Sequence, residues 1–302
     1  MEVGMVGLGK MGGNMTVRLV RGGHRVVGFA RTPAVVQAVV EQGASGATSL
    51  ADLVRQLAPP RVVWLMIPSG DPVDQTLAQL RPLLSPGDLI VDGGNSYYRD
   101  SLRRSATVTG WGFTFVDVGT SGGIWGLTEG YSMMVGGAAT DVERLRPVLE
   151  TLAPGPKRGW GHMGPVGSGH FVKMVHNGIE YGLMQAYAEG FAVLQAKSDF
   201  ALDLHQVAEV WRYGSVVRSW LLELTEAALA ENPTLKGVEP WVADSGEGRW
   251  TVSEAMELNI PAPIITLALQ QRLRSRESDP FTEKLLAMMR NKFGGHEVKT
   301  EP

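Results

Sequence analysis

The first half of the chain alternates between short apolar runs and longer amphipathic runs. The apolar runs are typical of buried strands and lie at 3–6, 25–29, 62–67, 89–91, 114–118 and 131–135. The amphipathic runs predict helices near 11–20, 34–42, 49–57, 72–80, 99–109 and 141–152. Strands that alternate with helices in this way predict an α/β Rossmann-type fold, a doubly wound parallel sheet.

The second half of the chain largely lacks strand patterns. A segment rich in proline and glycine, 154–165, separates the two halves. Beyond it, the apolar spacing predicts helices over 168–197, 203–231, 251–258, 262–275 and 281–291. We therefore predict two domains, a dinucleotide-binding domain over 1–165 and an all-α domain over 166–302 that is built around a long first helix.

The composition excludes several classes of function. The 302 residues are 44% apolar with a formal charge of −3, which gives no reason to expect nucleic acid or an anionic membrane as partner. The chain has no cysteine, and its six histidines lack ligand-like spacing, so we expect no metal site. No apolar run approaches the roughly 18 residues of a membrane span. We expect no leader segment and a cytoplasmic location.

A glycine-rich turn follows the first predicted strand and opens the first helix. It fits the G-x-G-x-x-G pattern in the strand–turn–helix context that makes this pattern informative for a dinucleotide. Gly7 would make the tight turn, Gly9 would admit the pyrophosphate, and Gly12 would bring the helix against the strand. The predicted cofactor contacts in this turn are Gly7, Leu8, Gly9, Lys10, Met11 and Gly12.

The end of the second strand bears on the choice between NAD and NADP. An NAD-binding protein normally has Asp or Glu there, about 20 residues after the glycines. This chain has Ala30-Arg31-Thr32 instead. An arginine and a hydroxyl suit a 2′-phosphate, so these residues favour NADP. In the alternative, Arg31 stacks on the adenine of either nucleotide, and NAD stays open.

Two polar, glycine-rich loops follow later strands, at Asp92–Ser96 and Gly119–Gly123. Ligands of such sheets collect at the carboxyl ends of the strands. Small residues let backbone N–H groups face a ligand, and Asn95 and Ser121 add side-chain donors. We interpret both loops as ligand-binding, with plain turns as the alternative.

The predicted helix that begins near 168 carries a polar face with both an acid and a base. Lys173, His176, Asn177 and Glu180 recur at i, i+3, i+4 and i+7 and so share one side of the helix. Two turns, or about 10 Å, separate the lysine from the glutamate. In the alternative, these residues form a solvent-exposed polar stripe with no role in the function. The apolar and glycine neighbours favour a buried helix. In a buried helix, charged side chains occur mainly where they form ion pairs or take part in the function.

The segment Gly169-His-Phe-Val-Lys-Met-Val-His-Asn-Gly-Ile-Glu-Tyr-Gly182 resembles the decarboxylating 6-phosphogluconate dehydrogenases, a family of the β-hydroxyacid dehydrogenase superfamily. The likeness, to the short form of the family, covers nearly the whole chain and includes Gly7–Gly12, Asp92–Ser96, Ser121–Gly123, Gly246–Thr251 and the tail from Arg290 to His296. It implies oxidative decarboxylation of 6-phosphogluconate to ribulose 5-phosphate and CO2 with reduction of NAD(P)+. It also implies a place in the pentose phosphate pathway or in gluconate utilization.

The resemblance implies a role for each matching residue. Lys173 would take the 3-hydroxyl proton as hydride leaves C3, and Glu180 would protonate C1 of the enediol, with His176 and Asn177 beside them. Substrate contacts would come from Asn95, Ser121, Gly122, Gly123, Tyr181, Arg272, Arg290 and His296. The last two would come from the neighbouring subunit of a homodimer or a dimer of dimers, whose helical domain binds substrate and dimerises. Further cofactor contacts would be Arg31, Thr32, Ile67 and Asn95.

Three features depart from the longer members of that family. Ala30 replaces an asparagine at the end of the second strand, and Ser245 replaces a substrate-contacting lysine. The helical domain is also shorter, as in a short subfamily whose members often prefer NAD. These features count against the NADP preference that Arg31 and Thr32 favour.

Two other functions fit part of the pattern. A 3-hydroxyisobutyrate or tartronate-semialdehyde type dehydrogenase would use a similar lysine and asparagine, but it needs neither a C1 acid nor a phosphate site. Glu180 and Arg272, together with Arg290 and His296, therefore favour the decarboxylating enzyme. A non-catalytic NADP-binding sensor should have lost the base or the acid, whereas this chain keeps both.

Overall fold

The computed structural model of the chain describes residues 1–295 and 297–299. The chain forms two compact units that divide between Asn177 and Gly178. This division falls inside one long helix, Ser168–Ala196, whose first turns belong to the first unit. The boundary predicted from the sequence lies just before that helix.

The first unit is built on an eight-stranded sheet with the strand order β3-β2-β1-β4-β5-β6-β7-β8. The strands are β1 (Glu2–Val6), β2 (Arg25–Phe29), β3 (Ser45–Gly46), β4 (Val62–Leu65), β5 (Leu89–Asp92), β6 (Thr114–Ser121), β7 (Ser132–Gly136) and β8 (Trp160–Gly164). The predicted doubly wound Rossmann-type sheet is confirmed. The expectation of a wholly parallel sheet is wrong at one pair, since β7 runs antiparallel to β6. The connection between them, 122–131, is too short for the crossover that parallel strands need.

Seven helices of the first unit accompany the sheet. They are α1 (Lys10–Arg21), α2 (Pro33–Val40), α3 (Leu50–Arg55), α4 (Asp71–Leu80), α5 (Tyr98–Gly110), α6 (Gly126–Glu129) and α7 (Ala139–Leu152). Successive side chains of a strand point to opposite faces of a sheet. In β4, Val62 and Trp64 join one apolar core, and Val63 and Leu65 join the other. Burial on both faces explains why these strands appear in the sequence as continuous apolar runs.

Two strand ends differ from the sequence prediction. β6 continues through Ser121, so Gly119–Ser121, predicted as loop, pair with Ser132–Met134 of β7. β8 lies inside the proline- and glycine-rich segment that was predicted as a break. As an edge strand with partly exposed residues, β8 does not need the apolar run by which a central strand is recognised.

The second unit contains helices, as predicted. These are the rest of α8 (Ser168–Ala196), α9 (Leu204–Trp211), α10 (Trp220–Glu231), α11 (Glu247–Glu257), α12 (Pro263–Arg274) and α13 (Phe281–Gly294). The single helix predicted over 203–231 is wrong, because α9 and α10 are separate. Gly214 takes a left-handed φ of +72° between them, and the Ser219 hydroxyl caps α10 by accepting a bond from the Leu222 N–H (3.1 Å). Among the described residues, no helix is both long and apolar enough to cross a membrane.

Candidate active site

The turn between β1 and α1 has the geometry that a dinucleotide pyrophosphate requires. Gly7 adopts φ +94°, and a Cβ there would lie 2.3 Å from the Met66 carbonyl oxygen. A Cβ on Gly12 would lie 2.0 Å from the Gly7 oxygen, so α1 packs directly on the turn. At Gly9 an added Cβ would meet nothing within 4 Å, and no side chain caps α1. The N-terminal amides of α1 therefore face open space and fit an anionic pyrophosphate.

The other predicted nucleotide contacts lie at the same edge of the sheet. Arg31 and Thr32 follow β2 directly and are exposed, and the partly buried Ile67 follows β4. β2 and β4 flank β1, so the three residues lie at the carboxyl ends of neighbouring parallel strands. Within the turn, Lys10 is exposed and Leu8 is buried.

The Asp92–Ser96 loop is held by a buried ionic network. The Ser96 hydroxyl donates to Asp92 Oδ2 (2.7 Å). The buried Arg104 guanidinium lies 3.3 Å from Ser96 Oγ and donates to Asp74 of α4 at 3.0 Å. Asn95 is the exposed member of this loop. The network fixes the backbone that presents Asn95, and the sequence prediction missed Arg104 because its partners lie far away in the chain.

The second predicted loop begins at Gly119, which contacts Lys173 of α8. A Cβ on Gly119 would lie 2.3 Å from the Cβ of Lys173, so β6 and α8 touch closely there. Beyond Ser121 the chain turns through two left-handed glycines, Gly122 (φ +132°) and Gly123 (φ +52°). The structure thus places the Ser121–Gly123 turn next to the strand position that contacts Lys173.

Three of the four predicted catalytic residues form one hydrogen-bonded cluster on α8. Lys173 is 6% exposed, and its Nζ donates to Asn177 Oδ1. His176 Nδ1 lies 3.0 Å from the same oxygen. Glu180, the fourth, lies one turn beyond Asn177 on the same helix and is partly buried. Asn177 orients the lysine nitrogen, because its amide oxygen accepts from it.

Asp117 of β6 holds the first turn of α8 and was missed by the sequence prediction. Its carboxylate is fully buried and accepts backbone bonds from Gly167 N (2.6 Å) and His170 N (2.8 Å). The His170 ring is buried as well, with Nδ1 2.7 Å from Ser101 Oγ. Burial raises the pKa of Asp117. The nearby His170 and the backbone donors lower it, but the effect of burial is the larger one. The only signal in the sequence is an aspartate inside an apolar strand.

In the second unit, Tyr181 and Arg272, both predicted as substrate contacts, lie against each other. The Arg272 guanidinium carbon lies 3.4 Å from the centroid of the buried Tyr181 ring, a cation–π contact. The Tyr181 hydroxyl donates to Asp244 (3.4 Å), a residue that the sequence prediction missed. Arg249 donates to the other Asp244 oxygen (2.5 Å). Arg249 and the Tyr181 hydroxyl therefore share the Asp244 carboxylate, and Arg272 lies over the ring of that tyrosine.

The remaining predicted residues lie elsewhere in the second unit or outside the described residues. Most of Gly246–Thr251 is the first turn of α11, which begins at Glu247, earlier than the helix predicted from 251. The Ser245 hydroxyl donates to Glu247 (2.5 Å). Arg290 lies on α13 with its side chain exposed. His296 lies outside the described residues. In the part of the chain that the structure describes, no group of three or more His, Asp or Glu side chains is arranged to hold a metal ion.

Two family models together cover nearly the whole chain. The NAD binding domain of 6-phosphogluconate dehydrogenase matches residues 2–165, and the C-terminal domain of 6-phosphogluconate dehydrogenase matches residues 169–293. An NAD(+)-dependent, decarboxylating 6-phosphogluconate dehydrogenase from Haloferax volcanii is 46% identical, over 99% of this chain and 98% of its own length. A decarboxylating 6-phosphogluconate dehydrogenase from Synechococcus elongatus is 37% identical, over 91% of this chain and 61% of its own length.

Solved structures give the same picture. The 6-phosphogluconate dehydrogenase of Plasmodium falciparum has a TM-score of 0.83 at 28% identity, over 100% of this chain and 67% of its own. A 3-hydroxyisobutyrate dehydrogenase from Mycobacterium tuberculosis shares the fold, with a TM-score of 0.73 at 23% identity over 96% and 99% of the two chains. With both domain models matched and a relative at 46% identity over almost its full length, this chain belongs to the 6-phosphogluconate dehydrogenase family.

Proposed function

We propose that the protein catalyses the oxidative decarboxylation of 6-phosphogluconate to ribulose 5-phosphate and CO2, with a nicotinamide dinucleotide as oxidant. The observation that carries this proposal is the buried cluster of Lys173, His176 and Asn177 on α8, packed at Lys173 against Gly119. It provides a base with a fixed position at the carboxyl end of β6. The relatives at 46% and 37% identity are named for this reaction.

Lys173 acts in the oxidation step as the general base. When bound, the nicotinamide supplies the oxidising power by accepting a hydride from C3. Lys173 would take the proton of the 3-hydroxyl, which leaves a 3-keto acid. Asn177, whose amide oxygen accepts a bond from Lys173 Nζ, would keep the amine aimed at that hydroxyl.

The decarboxylation step uses the same lysine and then the glutamate. The electron pair of the C1–C2 bond moves toward the C3 oxygen as CO2 leaves, and Lys173 returns its proton to that oxygen. Glu180 would then protonate C1 of the resulting 1,2-enediol, the carbon that was C2 of 6-phosphogluconate, which gives ribulose 5-phosphate. The helix α8 carries both groups, seven positions apart, so one rigid element provides the base and the acid.

Different groups would bind the two ends of the substrate. We assign the carboxylate and the first hydroxyls to Asn95, His176, Asn177 and the turn Ser121–Gly123, which offer neutral donors. We assign the phosphate to Tyr181 and Arg272, together with Arg290 and His296 of a neighbouring subunit. A guanidinium presents a planar set of donors that matches phosphate oxygens. A 3-hydroxyisobutyrate dehydrogenase would have no use for these groups.

The nucleotide preference is the point on which the sequence and the relatives differ. Arg31 and Thr32 favour NADP, whereas a relative that is 46% identical over almost this whole chain is named NAD(+)-dependent. Ala30 provides no side-chain donor for a 2′-phosphate. We propose that the protein prefers NAD+ and that Arg31 stacks on the adenine of either nucleotide.

Steady-state assays of the purified protein test the function. With 6-phosphogluconate and NAD+, reduced nucleotide and CO2 should form in equal amounts, and NADP+ should give a lower kcat/KM. Gluconate and 3-hydroxyisobutyrate serve as controls because neither carries a phosphate. Oxidation without CO2 release, or a higher kcat/KM for 3-hydroxyisobutyrate, would contradict the proposal.

A further inference from the structure

The contact between β6 and the first turns of α8 consists of two adjacent rungs. At the first rung, the Asp117 carboxylate accepts the backbone N–H groups of Gly167 (2.6 Å) and His170 (2.8 Å). At the second rung, the backbone of Gly119 touches Lys173, where an added Cβ would lie 2.3 Å from the lysine Cβ. Asp117 and Gly119 share a face of the strand at i and i+2, and His170 and Lys173 share a face of the helix at i and i+3.

The surrounding backbone packs tightly around the first rung, the contact between the Asp117 carboxylate and α8. A Cβ on Gly136 of β7 would lie 2.5 Å from Asp117 Oδ1. A Cβ on Gly169 of α8 would lie 2.6 Å from the Asp117 carbonyl oxygen and 2.5 Å from the Met134 oxygen. Two strands and the helix therefore meet closely around the Asp117 carboxylate, which is fully buried among them.

We propose that Asp117 is a positioning residue for the reaction, which sets the place of Lys173 relative to the Ser121–Gly123 turn by holding α8 on β6. The inference rests on the proposed role of Lys173 as the base. An anionic carboxylate suits the positive end of a helix, and both of its oxygens are used by backbone donors. The His170 ring, fixed by Ser101 Oγ at 2.7 Å, packs beside it and closes the rung from the α5 side.

The Asp117→Asn variant disrupts the contact of Asp117 with α8 with the least change in side-chain volume. An amide has one oxygen, so its NH2 group must face one of the two backbone N–H donors. The first turn of α8 then shifts, and the base moves with it. Misplacement of a catalytic group by about 1 Å costs on the order of a hundredfold in rate. We expect kcat with 6-phosphogluconate to fall by about tenfold or more, while KM for the nucleotide stays within about twofold, because the β1–α1 turn is untouched.

The kinetic isotope effect separates positioning from stability. With substrate deuterated at C3, the isotope effect on kcat should be larger in Asp117→Asn than in wild type, since a displaced base slows the oxidation step itself. Asp117→Ser, which keeps one acceptor for the helix, should recover part of the lost kcat relative to Asp117→Ala. Asp88→Asn is the matched control. Asp88 is equally buried and accepts two backbone N–H groups, from Arg61 (2.6 Å) and Ser85 (2.9 Å), but it precedes β5 at the opposite edge of the sheet.

Each outcome has one meaning. A kcat per folded site and an isotope effect that match wild type in Asp117→Asn would overturn the inference and leave Asp117 a purely structural cap. A loss of the same size in Asp88→Asn, with the same isotope effect, would overturn it too. If no Asp117 variant folds, Ser101→Ala tests the inference instead, because it removes the hydrogen bond to the His170 ring. We expect kcat to fall about two- to fivefold, the worth of roughly one hydrogen bond, and the isotope effect to change. An unchanged isotope effect would refute the inference. Failure of the wild-type protein to release CO2 would instead refute the proposed function.

Discussion

At the residue scale, the proposed function depends on the Lys173 amine and on the groups that hold it in place. The period of an α-helix alone puts Lys173, His176 and Asn177 on one face, and the structure joins them through one amide oxygen. Asp117 and Arg104 could not be predicted in the same way. Asp117 accepts from backbone groups 50 and 53 residues away, and Arg104 pairs with Asp74 at a separation of 30 residues. A single sequence gives no sign of such pairings.

Replacement of Lys173 by Met should abolish turnover while nucleotide binding stays intact. Loss of a general base typically costs about 10²–10⁴-fold, and more where the group also serves a second step. We would measure kcat by reduced-nucleotide formation and nucleotide affinity by fluorescence titration. The exposed Lys197, which pairs with Asp199 at 2.7 Å, gives the control variant Lys197→Met. Activity of Lys173→Met within about threefold of wild type would remove Lys173 from the base role.

Replacement of Arg31 by Ala tests the nucleotide assignment. If Arg31 stacks on adenine, binding of NAD+ and of NADP+ should weaken by similar factors. If it pairs with a 2′-phosphate, NADP+ should lose about 1.5–3 kcal/mol more than NAD+, the worth of a charge-assisted hydrogen bond. Dissociation constants for both nucleotides, measured by calorimetry on wild type and variant, distinguish the two. A selective loss of NADP+ binding would support the 2′-phosphate contact and oppose our assignment.

At the scale of secondary-structure elements, the central strands and the long helix could be predicted, and the edges could not. β4 and β5 are buried on both faces, and apart from Asp92 at the end of β5 they are apolar, which leaves an unambiguous run in the sequence. β8 is an edge strand whose glycines, histidine and partial exposure give no such run. The break between α9 and α10 was missed because one glycine inside an apolar pattern is tolerated by many helices.

The link between α4 and α5 predicts a change in stability in acid. Burial alone would raise the pKa of Asp74, but hydrogen bonds and charges of Arg104 and Arg103 lower it from 3.8 to about 2. Because the folded pKa is the lower one, this contribution is fully present above the unfolded pKa and is lost as the pH falls from 3.8 to about 2. Urea unfolding of wild type and Asp74→Asn across that window should show a shallower pH dependence in the variant. Asp74 is 35% exposed, so solvent screening keeps the difference small. Equal slopes would contradict the assigned pKa.

At the scale of the whole molecule, the sequence predicts two domains that divide at 165/166, and the chain forms two compact units that divide at a different place. The family models change at 165–169, near the boundary predicted from the sequence, whereas the compact units divide at Asn177. The cause is α8, whose first turns dock on the sheet while the rest belongs to the helical unit. A continuous helix across a boundary leaves no linker for a sequence pattern to reveal.

The last prediction concerns active sites shared between subunits. Arg290 is exposed on α13, and a desolvated phosphate site on a second copy of the chain would give this cation a partner. Removal of the chain after Met289 should therefore raise KM for 6-phosphogluconate while the affinity for the nucleotide stays nearly unchanged. An unchanged KM in this truncated protein would separate Arg290 from the substrate.

A mixture of two inactive variants distinguishes a contribution in trans from one in cis. In a mixed dimer of Lys173→Met and Arg290→Ala, one of the two sites combines an intact Lys173 with the intact Arg290 of the other subunit. Subunit exchange, followed by native mass spectrometry, should therefore restore activity, up to about half of the sites in each mixed dimer. Lys292→Ala, a neighbouring exposed cation on the same helix, should be active alone and serves as the control for α13 surface charge. If mixed dimers form and no activity returns, Arg290 acts within its own subunit or has no part in the reaction.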